Sequence, residues 1–187
     1  SLPESAKWRR KKLANIGYIQ VVRHCNHLCS FCSNPTTPYV HTFETMKVLV
    51  DDLVERGYFG VILTGGEPTL HPELPRICRY AQEQGLHVRM ITNGWRLSEE
   101  SFAQAMAEAG LKLVHISVYS TRPAVEFRLR GIKDTLERAY AAVGNAIKYG
   151  IEVNINCVIN AFNADHLDET IEFWNKNHPE IRHFVWN

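Results

Sequence analysis

Several features that mark common protein classes are missing from this sequence of 187 residues. No apolar stretch approaches the roughly 20 residues that a membrane-spanning helix needs, so the sequence predicts no membrane span. The net charge is only +1, which gives the whole chain no strong attraction to nucleic acid or to an anionic membrane. The basic start of the chain is not followed by the apolar core of a signal peptide, so secretion has no support.

The cysteines are few and odd in number, which argues against a disulfide framework. There are five, and three of them, Cys25, Cys29 and Cys32, lie close together. Such clustering favours a metal site, and free thiols favour a reducing, cytoplasmic compartment. We interpret the two isolated cysteines, Cys78 and Cys157, as small buried hydrophobic residues.

Charge is concentrated in one short segment, Lys7-Trp8-Arg9-Arg10-Lys11-Lys12. We predict that residues 1–17 form a basic, solvated tail; the alternative is that the basic run contacts an acidic partner or substrate. Residues 18–187 contain no linker and are predicted to form one domain. Because the chain stops on a strand with no closing helix, we expect a C-terminal region beyond it. Arg128 and Arg130 are interpreted as solvated loop charges, with a substrate contact as the alternative.

Strand-like runs alternate with amphipathic helical runs along this domain. The six predicted strands are 18–23, 59–63, 86–91, 113–118, 152–159 and 183–186. Among the five predicted helices, Thr42 caps the first, Pro72 lies in the first turn of the second and Ser98 caps the third. This alternation predicts a parallel sheet with right-handed crossovers, either as an open doubly wound sheet or as an incomplete barrel.

Polar side chains occupy one face of two neighbouring predicted strands. They are His115, Ser117 and Tyr119 on the fourth strand and Asn154 and Asn156 on the fifth. A barrel core is usually filled by branched aliphatic residues, so a polar lumen predicts a ligand cavity. The alternative is that these groups hydrogen-bond one another in a wet barrel mouth. From position and polarity, His115, Tyr119 and Asn154 are the candidate substrate contacts.

The cysteines form the segment Cys25-Asn26-His27-Leu28-Cys29-Ser30-Phe31-Cys32, with the spacing C-x3-C-x2-C. It follows the first predicted strand, at the end where βα folds place their chemistry. Thiolates favour iron–sulfur clusters or zinc. A structural zinc takes four ligands, and His24 or His27 could supply the fourth. Three cysteines on a [4Fe–4S] cluster instead leave one iron open to a ligand. These residues alone leave both interpretations open.

A second motif, Thr64-Gly65-Gly66-Glu67-Pro68, follows the second predicted strand. Together with the cysteine spacing it resembles the radical S-adenosylmethionine (SAM) superfamily, in which a GGE motif holds the amino group of SAM. Thr92-Asn93-Gly94 is similar to the turn of the branch that includes the GTP cyclase of molybdopterin synthesis and the peptide-maturing enzymes. The resemblance covers roughly residues 18–187 and implies an α/β fold, a partial (β/α)6 TIM-like barrel.

The resemblance also implies a site and a reaction. Cys25, Cys29 and Cys32 would ligate a [4Fe–4S] cluster. The implied SAM contacts are Phe31, Gly65, Gly66, Glu67, Thr92, Ser117 and Asn156. The implied enzyme takes one electron from a donor such as flavodoxin or ferredoxin and cleaves SAM to a 5′-deoxyadenosyl radical. That radical abstracts hydrogen from a peptide or small-molecule substrate. The alternatives are a zinc-stapled α/β binding module without catalysis and a relative that does not cleave SAM reductively.

Overall fold

The computed structural model describes residues 15–187, so the basic run at 7–12 lies outside the described residues. Six parallel strands form one sheet. The strands are β1 (Ile16–Val22), β2 (Gly60–Gly65), β3 (His87–Thr92), β4 (Leu113–Ser117), β5 (Glu152–Cys157) and β6 (His183–Trp186). The helices are α1 (Phe43–Glu55), α2 (Leu74–Glu83), α3 (Glu100–Glu108), α4 (Pro123–Arg130), α5 (Thr135–Lys148) and α6 (Leu167–Asn177). β1 begins two residues before the start predicted for the domain.

The order of the strands decides between the two folds that the alternation allowed. In a doubly wound sheet the order reverses at a switch point. Here the order runs from β1 to β6 without a reversal. Right-handed connections between successive neighbours place the helices on the same side of the sheet. Within the described residues β6 does not pair with β1, so the fold is the partial barrel that the resemblance implied.

The main apolar core lies between the outer face of the sheet and the helices. Val114 and Ile116 of β4 are buried there with Val153 and Ile155 of β5 and with Trp174 of α6. The prediction that polar and apolar residues alternate between the two faces of β4 and β5 is thereby confirmed for the apolar face. Within the described part of the chain, no helix combines the length and the apolar character needed to cross a membrane.

Two predicted helix starts were wrong. α2 begins after Pro72, and the proline in its first turn is Pro75. Ser98 does not cap α3, because its hydroxyl donates to the Trp95 carbonyl at 2.7 Å and so closes a short 3-10 turn before the helix. Thr42 does cap α1, and its hydroxyl accepts a backbone N–H from the first turn.

The sequence prediction missed α4 entirely. This helix ends at Gly131, which has a φ of 69°, a left-handed conformation that glycine adopts without strain. Its buried face carries Glu126 and Arg130, so the apolar periodicity that marks a helix is weak. Arg130 is 0% exposed, and its interpretation as a solvated loop charge was therefore wrong. Arg128 is exposed, as expected.

The end of β2 is bonded directly to the last residue of β1 and to the cysteine loop, the segment of residues 24–34 that follows β1. The Gly66 N–H donates to the Val22 carbonyl at 3.0 Å, and the Glu67 N–H donates to the His24 carbonyl at 2.9 Å. A Cβ atom on Gly66 would lie 2.1 Å from the His24 oxygen. Glycine is therefore required for these two segments to meet.

We expect Gly66→Ala to destabilise the protein by about 1–3 kcal/mol, the usual range for overpacking, because its methyl group would meet backbone and not a movable side chain. The measurement is the urea midpoint of the purified protein. Gly144→Ala in α5 is the control, since its Cβ would meet only a His178 atom at 3.8 Å. Alanine is favoured over glycine in helices by about 1 kcal/mol, so this variant should keep or raise the midpoint. An unchanged midpoint for Gly66→Ala would show that the close approach is dispensable.

Candidate active site

The cysteine loop is held against the C-terminal end of α4. The Leu28 N–H donates to the Arg130 carbonyl and the Ser30 N–H donates to the Leu129 carbonyl, each at 3.0 Å. These donors flank Cys29 in the chain. The middle cysteine is therefore fixed by two backbone hydrogen bonds, and its position depends on where α4 lies.

The three thiols share one cavity with the end of β2. The cavity has a volume of about 290 Å³, and its walls include Cys25, Cys29, Cys32 and Gly66. Two motifs that are far apart in the sequence therefore meet at the C-terminal ends of the strands. Within the described part of the chain, no three His, Cys, Asp or Glu side chains converge closely enough to ligate one metal ion, whereas the cysteines of a [4Fe–4S] cluster bind different irons.

Burial keeps the thiols of Cys25 and Cys29 protonated. It raises the pKa of Cys29 to about 11, while the nearby charge of Arg130 opposes that shift, and it also raises the pKa of Cys25. The sulfur of Cys25 accepts the His27 N–H at 3.4 Å. Such thiols are poor free nucleophiles, but metal coordination deprotonates a thiol outright. The donor set therefore fits an iron–sulfur cluster.

The hydrogen bonding of His27 bears on the zinc interpretation. Its Nδ1 lies 3.1 Å from Nη1 of Arg130. A guanidinium can only donate, so Nδ1 accepts and the ring proton sits on Nε2. Burial, and then the charge of Arg130, lower the pKa of His27 to about 3. Neither ring nitrogen has a free lone pair, and His27 in this position does not supply the fourth ligand of a zinc site.

The Glu67 side chain points into the protein and away from the cavity. Its carboxylate is 1% exposed and accepts from the hydroxyl and N–H of Thr69 at 2.5 and 3.1 Å. It also accepts from the Thr92 hydroxyl at 2.6 Å and the Asn93 N–H at 2.7 Å. Glu67 thus ties the end of β2 to the end of β3. The backbone of Gly66 and Glu67, and not the Glu67 side chain, is the part of the motif that faces the cysteine loop.

The other predicted SAM contacts lie at the same end of the barrel. Ser117 and Asn156 are register partners on β4 and β5. The Asn156 Oδ1 accepts from the Asn187 side chain at 2.8 Å. Phe31 of the cysteine loop is half-buried and meets Tyr119 edge-on, with ring centres 4.7 Å apart.

The three candidate substrate contacts lie in two different places. His115 and Asn154 are register partners on the lumen face of β4 and β5. Asn154 is 5% exposed, and its Oδ1 has no hydrogen-bond partner in the described part of the chain. Burial and the charge of Arg89 lower the pKa of His115, so that side chain is neutral at pH 7. Tyr119 instead packs beneath the cysteine loop, with the Arg130 guanidinium 4.8 Å from its ring centre.

Two residues that organise the site were not among the predicted site residues. The Asn93 side chain donates to Asn26 Oδ1 at 2.8 Å and so joins the turn after β3 to the cysteine loop. Arg130 contacts His27 and the Asn93 carbonyl. The sequence held a signal for Arg130, because an acidic residue four positions before an arginine, followed by glycine, is typical of a paired helix end.

The chain resembles known proteins over most of its length. A family profile described as the Radical SAM superfamily matches residues 19–173. The GTP 3′,8-cyclase of Sulfurimonas denitrificans is 30% identical over 176 residues, which cover 88% of this chain and 53% of the relative. The PqqA peptide cyclase of Ruegeria pomeroyi is 30% identical over 157 residues, covering 82% and 42%. The chain thus spans about half the length of the curated relatives it matches.

Solved structures share the fold at lower identity. Streptococcus suis SuiB bound to S-adenosylmethionine superposes with a TM-score of 0.80 at 19% identity, covering 94% of this chain and 40% of SuiB. The structure of anSMEcpe with bound AdoMet and Kp18Cys peptide gives a TM-score of 0.76 at 21% identity, covering 91% and 51%. By its family profile, this chain belongs to the radical SAM superfamily of enzymes, which use a [4Fe–4S] cluster and S-adenosylmethionine.

Proposed function

We propose that the chain is the catalytic core of an enzyme that cleaves SAM reductively and abstracts hydrogen from an organic substrate. The observation that carries this proposal is the single cavity in which the three thiols meet the glycine-rich end of β2. The cluster and SAM, when bound, supply the chemistry: one electron splits SAM into methionine and a 5′-deoxyadenosyl radical. The protein binds, orients and shields the reactants.

Each predicted cofactor residue takes a role from its position. The thiols of the cysteine loop hold the cluster, and the backbone at the end of β2 accepts from the SAM ammonium. Phe31, Ser117 and Asn156 border the same end of the barrel and provide one apolar and two polar contacts to the rest of SAM. Glu67 and Thr92 act from behind the cavity by holding the ends of β2 and β3 in place.

A peptide is the substrate class that we favour. The relatives include a PqqA peptide cyclase, and the similar structures include SuiB bound to precursor peptide SuiA and anSMEcpe with bound Kp18Cys peptide. Within the described residues β1 and β6 are not paired with each other, and we propose that an extended chain enters between these two edges. His115 and Asn154 on the lumen face are the side chains best placed to meet it.

The electron donor and the compartment follow from the same site. Cys32 is exposed, so the cluster would lie near the protein surface, where a flavodoxin or ferredoxin could deliver an electron. All five cysteines are free. Reducing conditions keep such thiols free, and we therefore place the protein in the cytoplasm.

The second candidate function is a zinc-stapled binding module. The hydrogen bond from Arg130 to His27 disfavours His27 as its fourth ligand, because that bond occupies the only lone pair of the ring, so the module would need His24 in that place. Metal analysis of anaerobically purified protein separates the two. Iron and sulfide with a brown colour support the enzyme, whereas one zinc per chain in a colourless protein supports the module.

We expect Cys29→Ala to abolish 5′-deoxyadenosine formation after anaerobic reconstitution with iron and sulfide and addition of SAM and dithionite. The variant would retain only two of the three cysteine ligands, which is too few to hold the cluster in place. The measurement is 5′-deoxyadenosine by liquid chromatography, together with iron content per chain.

The matched control is Cys78→Ala. Cys78 is 0% exposed in the apolar core, and Cys157 is 1% exposed beside Tyr119 and Leu129, both as predicted. The Cys78 variant should therefore retain cluster and product, with only a loss of stability. Undiminished 5′-deoxyadenosine from Cys29→Ala would refute the ligand assignment.

We expect Asn154→Val to raise the free energy of unfolding by about 1–2 kcal/mol, because it removes a buried amide oxygen that lacks a partner. A residue kept for substrate binding and not for stability should behave in this way. The measurement is urea unfolding of the protein without cofactors.

Asn163→Val is the control for that substitution. Asn163 is 0% exposed, but its side chain donates to the Tyr119 and Val158 carbonyls at 2.8 and 2.9 Å and accepts the Asn160 N–H at 2.8 Å. Its loss should destabilise the protein by about 2 kcal/mol or more. If both variants were equally destabilised, Asn154 would have a structural role and the lumen proposal would lose its support.

A further inference from the structure

The guanidinium of Arg130 is a buried charge with no part in the roles proposed above. The side chain is 0% exposed, and its Nε lies 2.6 Å from Oε1 of Glu126. The other oxygen of Glu126 accepts the N–H groups of Tyr119 and Ser120 at 3.0 and 2.9 Å. The carboxylate is therefore fixed from two sides and orients the arginine.

One planar group of Arg130 joins three segments that surround the cavity. Its Nη2 donates to the Ser117 carbonyl at the end of β4. Its Nη1 donates to Nδ1 of His27 in the cysteine loop at 3.1 Å and lies 3.5 Å from the Asn93 carbonyl after β3. Only arginine offers several donors in one rigid plane, so no other residue could hold these groups together in this way.

The same residue lies directly against Cys29. Its carbonyl and the preceding one accept the N–H groups on either side of that cysteine. The guanidinium also reaches the loop itself, because its Nη1 donates to the ring of His27, two residues before Cys29. Arg130 is fully buried, so water screens its charge less than it would screen a charge at the surface.

A buried ion pair at this position is not explained by stability. Replacing such a pair with apolar residues of similar size is often neutral or stabilising. The cationic end of the Arg130–Glu126 pair contacts the cysteine loop, while the anionic end is turned toward the N–H groups after β4. The pair is therefore an oriented dipole beside the cluster ligands.

We propose that Arg130 is a positioning residue for the cluster, with two separable effects. The N–H groups of its guanidinium hold the cysteine loop against the ends of β3 and β4. Its charge, oriented by Glu126, raises the one-electron reduction potential of the bound cluster, because a nearby cation stabilises the more negative, reduced state. This inference rests on the cluster-binding part of the proposed function, not on SAM cleavage or on the substrate.

The experiment is a redox titration of reconstituted protein with dithionite, followed by electron paramagnetic resonance. Arg130→Gln should lower the equilibrium constant for reduction by about tenfold, the size expected of one charge acting over ~10 Å inside a protein. Glu126→Gln should raise it. These opposite signs are the signature of the dipole, because general disruption of the loop would shift both variants in the same direction.

Arg130→Lys separates charge from geometry. It keeps the charge, so the reduction potential should stay near that of the wild type. It loses the planar fork, so amide hydrogen exchange at Leu28 and Ser30 should become faster in the protein without cluster. Arg128→Gln is the matched control on the same helix. Arg128 is exposed and stacks on Phe162, and its variant should leave both the potential and the exchange unchanged.

The inference is overturned if Arg130→Gln and Glu126→Gln leave the potential equal to that of Arg128→Gln, or shift it in the same direction. If Arg130→Gln does not fold, Glu126→Gln and Arg130→Lys decide the question by the potential and the exchange rates. Wild-type protein that accepts no cluster would refute the proposed function as well. Wild-type protein that holds a cluster, with unchanged potentials in the variants, would refute this inference alone.

Discussion

Backbone N–H groups lose their sheet partners where a parallel strand ends, and the walls of the cavity depend on how those groups are satisfied. Two buried carboxylates accept hydrogen bonds from these N–H groups. Glu67 accepts the Asn93 N–H after β3, and Glu126 accepts the Tyr119 and Ser120 N–H groups after β4. Each carboxylate is 1% exposed, so the hydrogen bonds must offset a large desolvation penalty. Because both carboxylates lie behind the strand ends, they hold the walls in place without occupying the cavity.

The cysteine loop is held by backbone hydrogen bonds that do not involve a metal. Its backbone is bonded to α4 on one side and to the end of β2 on the other. Burial raises the pKa values of Cys25 and Cys29, so these two side chains are thiols and not thiolates that repel each other. Ligation must displace these protons, which couples cluster assembly to proton release. The backbone bonds of the loop do not use the sulfur atoms, so deprotonation of the thiols does not break them.

Patterns that repeat along the chain were predictable, and interactions between distant segments were not. Local sequence predicted the βα alternation and the two motifs. It also predicted that Val114 and Ile116 share one apolar face of β4. α4 was missed because its buried face carries an ion pair where apolar residues usually mark a helix. The inward direction of Glu67 was equally hidden, because its partner Asn93 lies 26 residues further along the chain. Strand order itself required the structure, since alternation is common to open sheets and barrels.

The two sides of the sheet satisfy different demands. The outer face packs apolar residues against the helices and stabilises the fold. The lumen face keeps an unpaired amide oxygen on Asn154 and a neutral imidazole on His115. Polar groups that do not contribute to stability, such as these two, are expected at functional sites. A reactive radical requires a site closed to water and stray hydrogen donors, so polar groups there should already be paired, as Glu67 and Arg130 are. Asn154 is an exception on the lumen face, and an incoming molecule that supplies its missing donor would gain a hydrogen bond that folding alone leaves unmade.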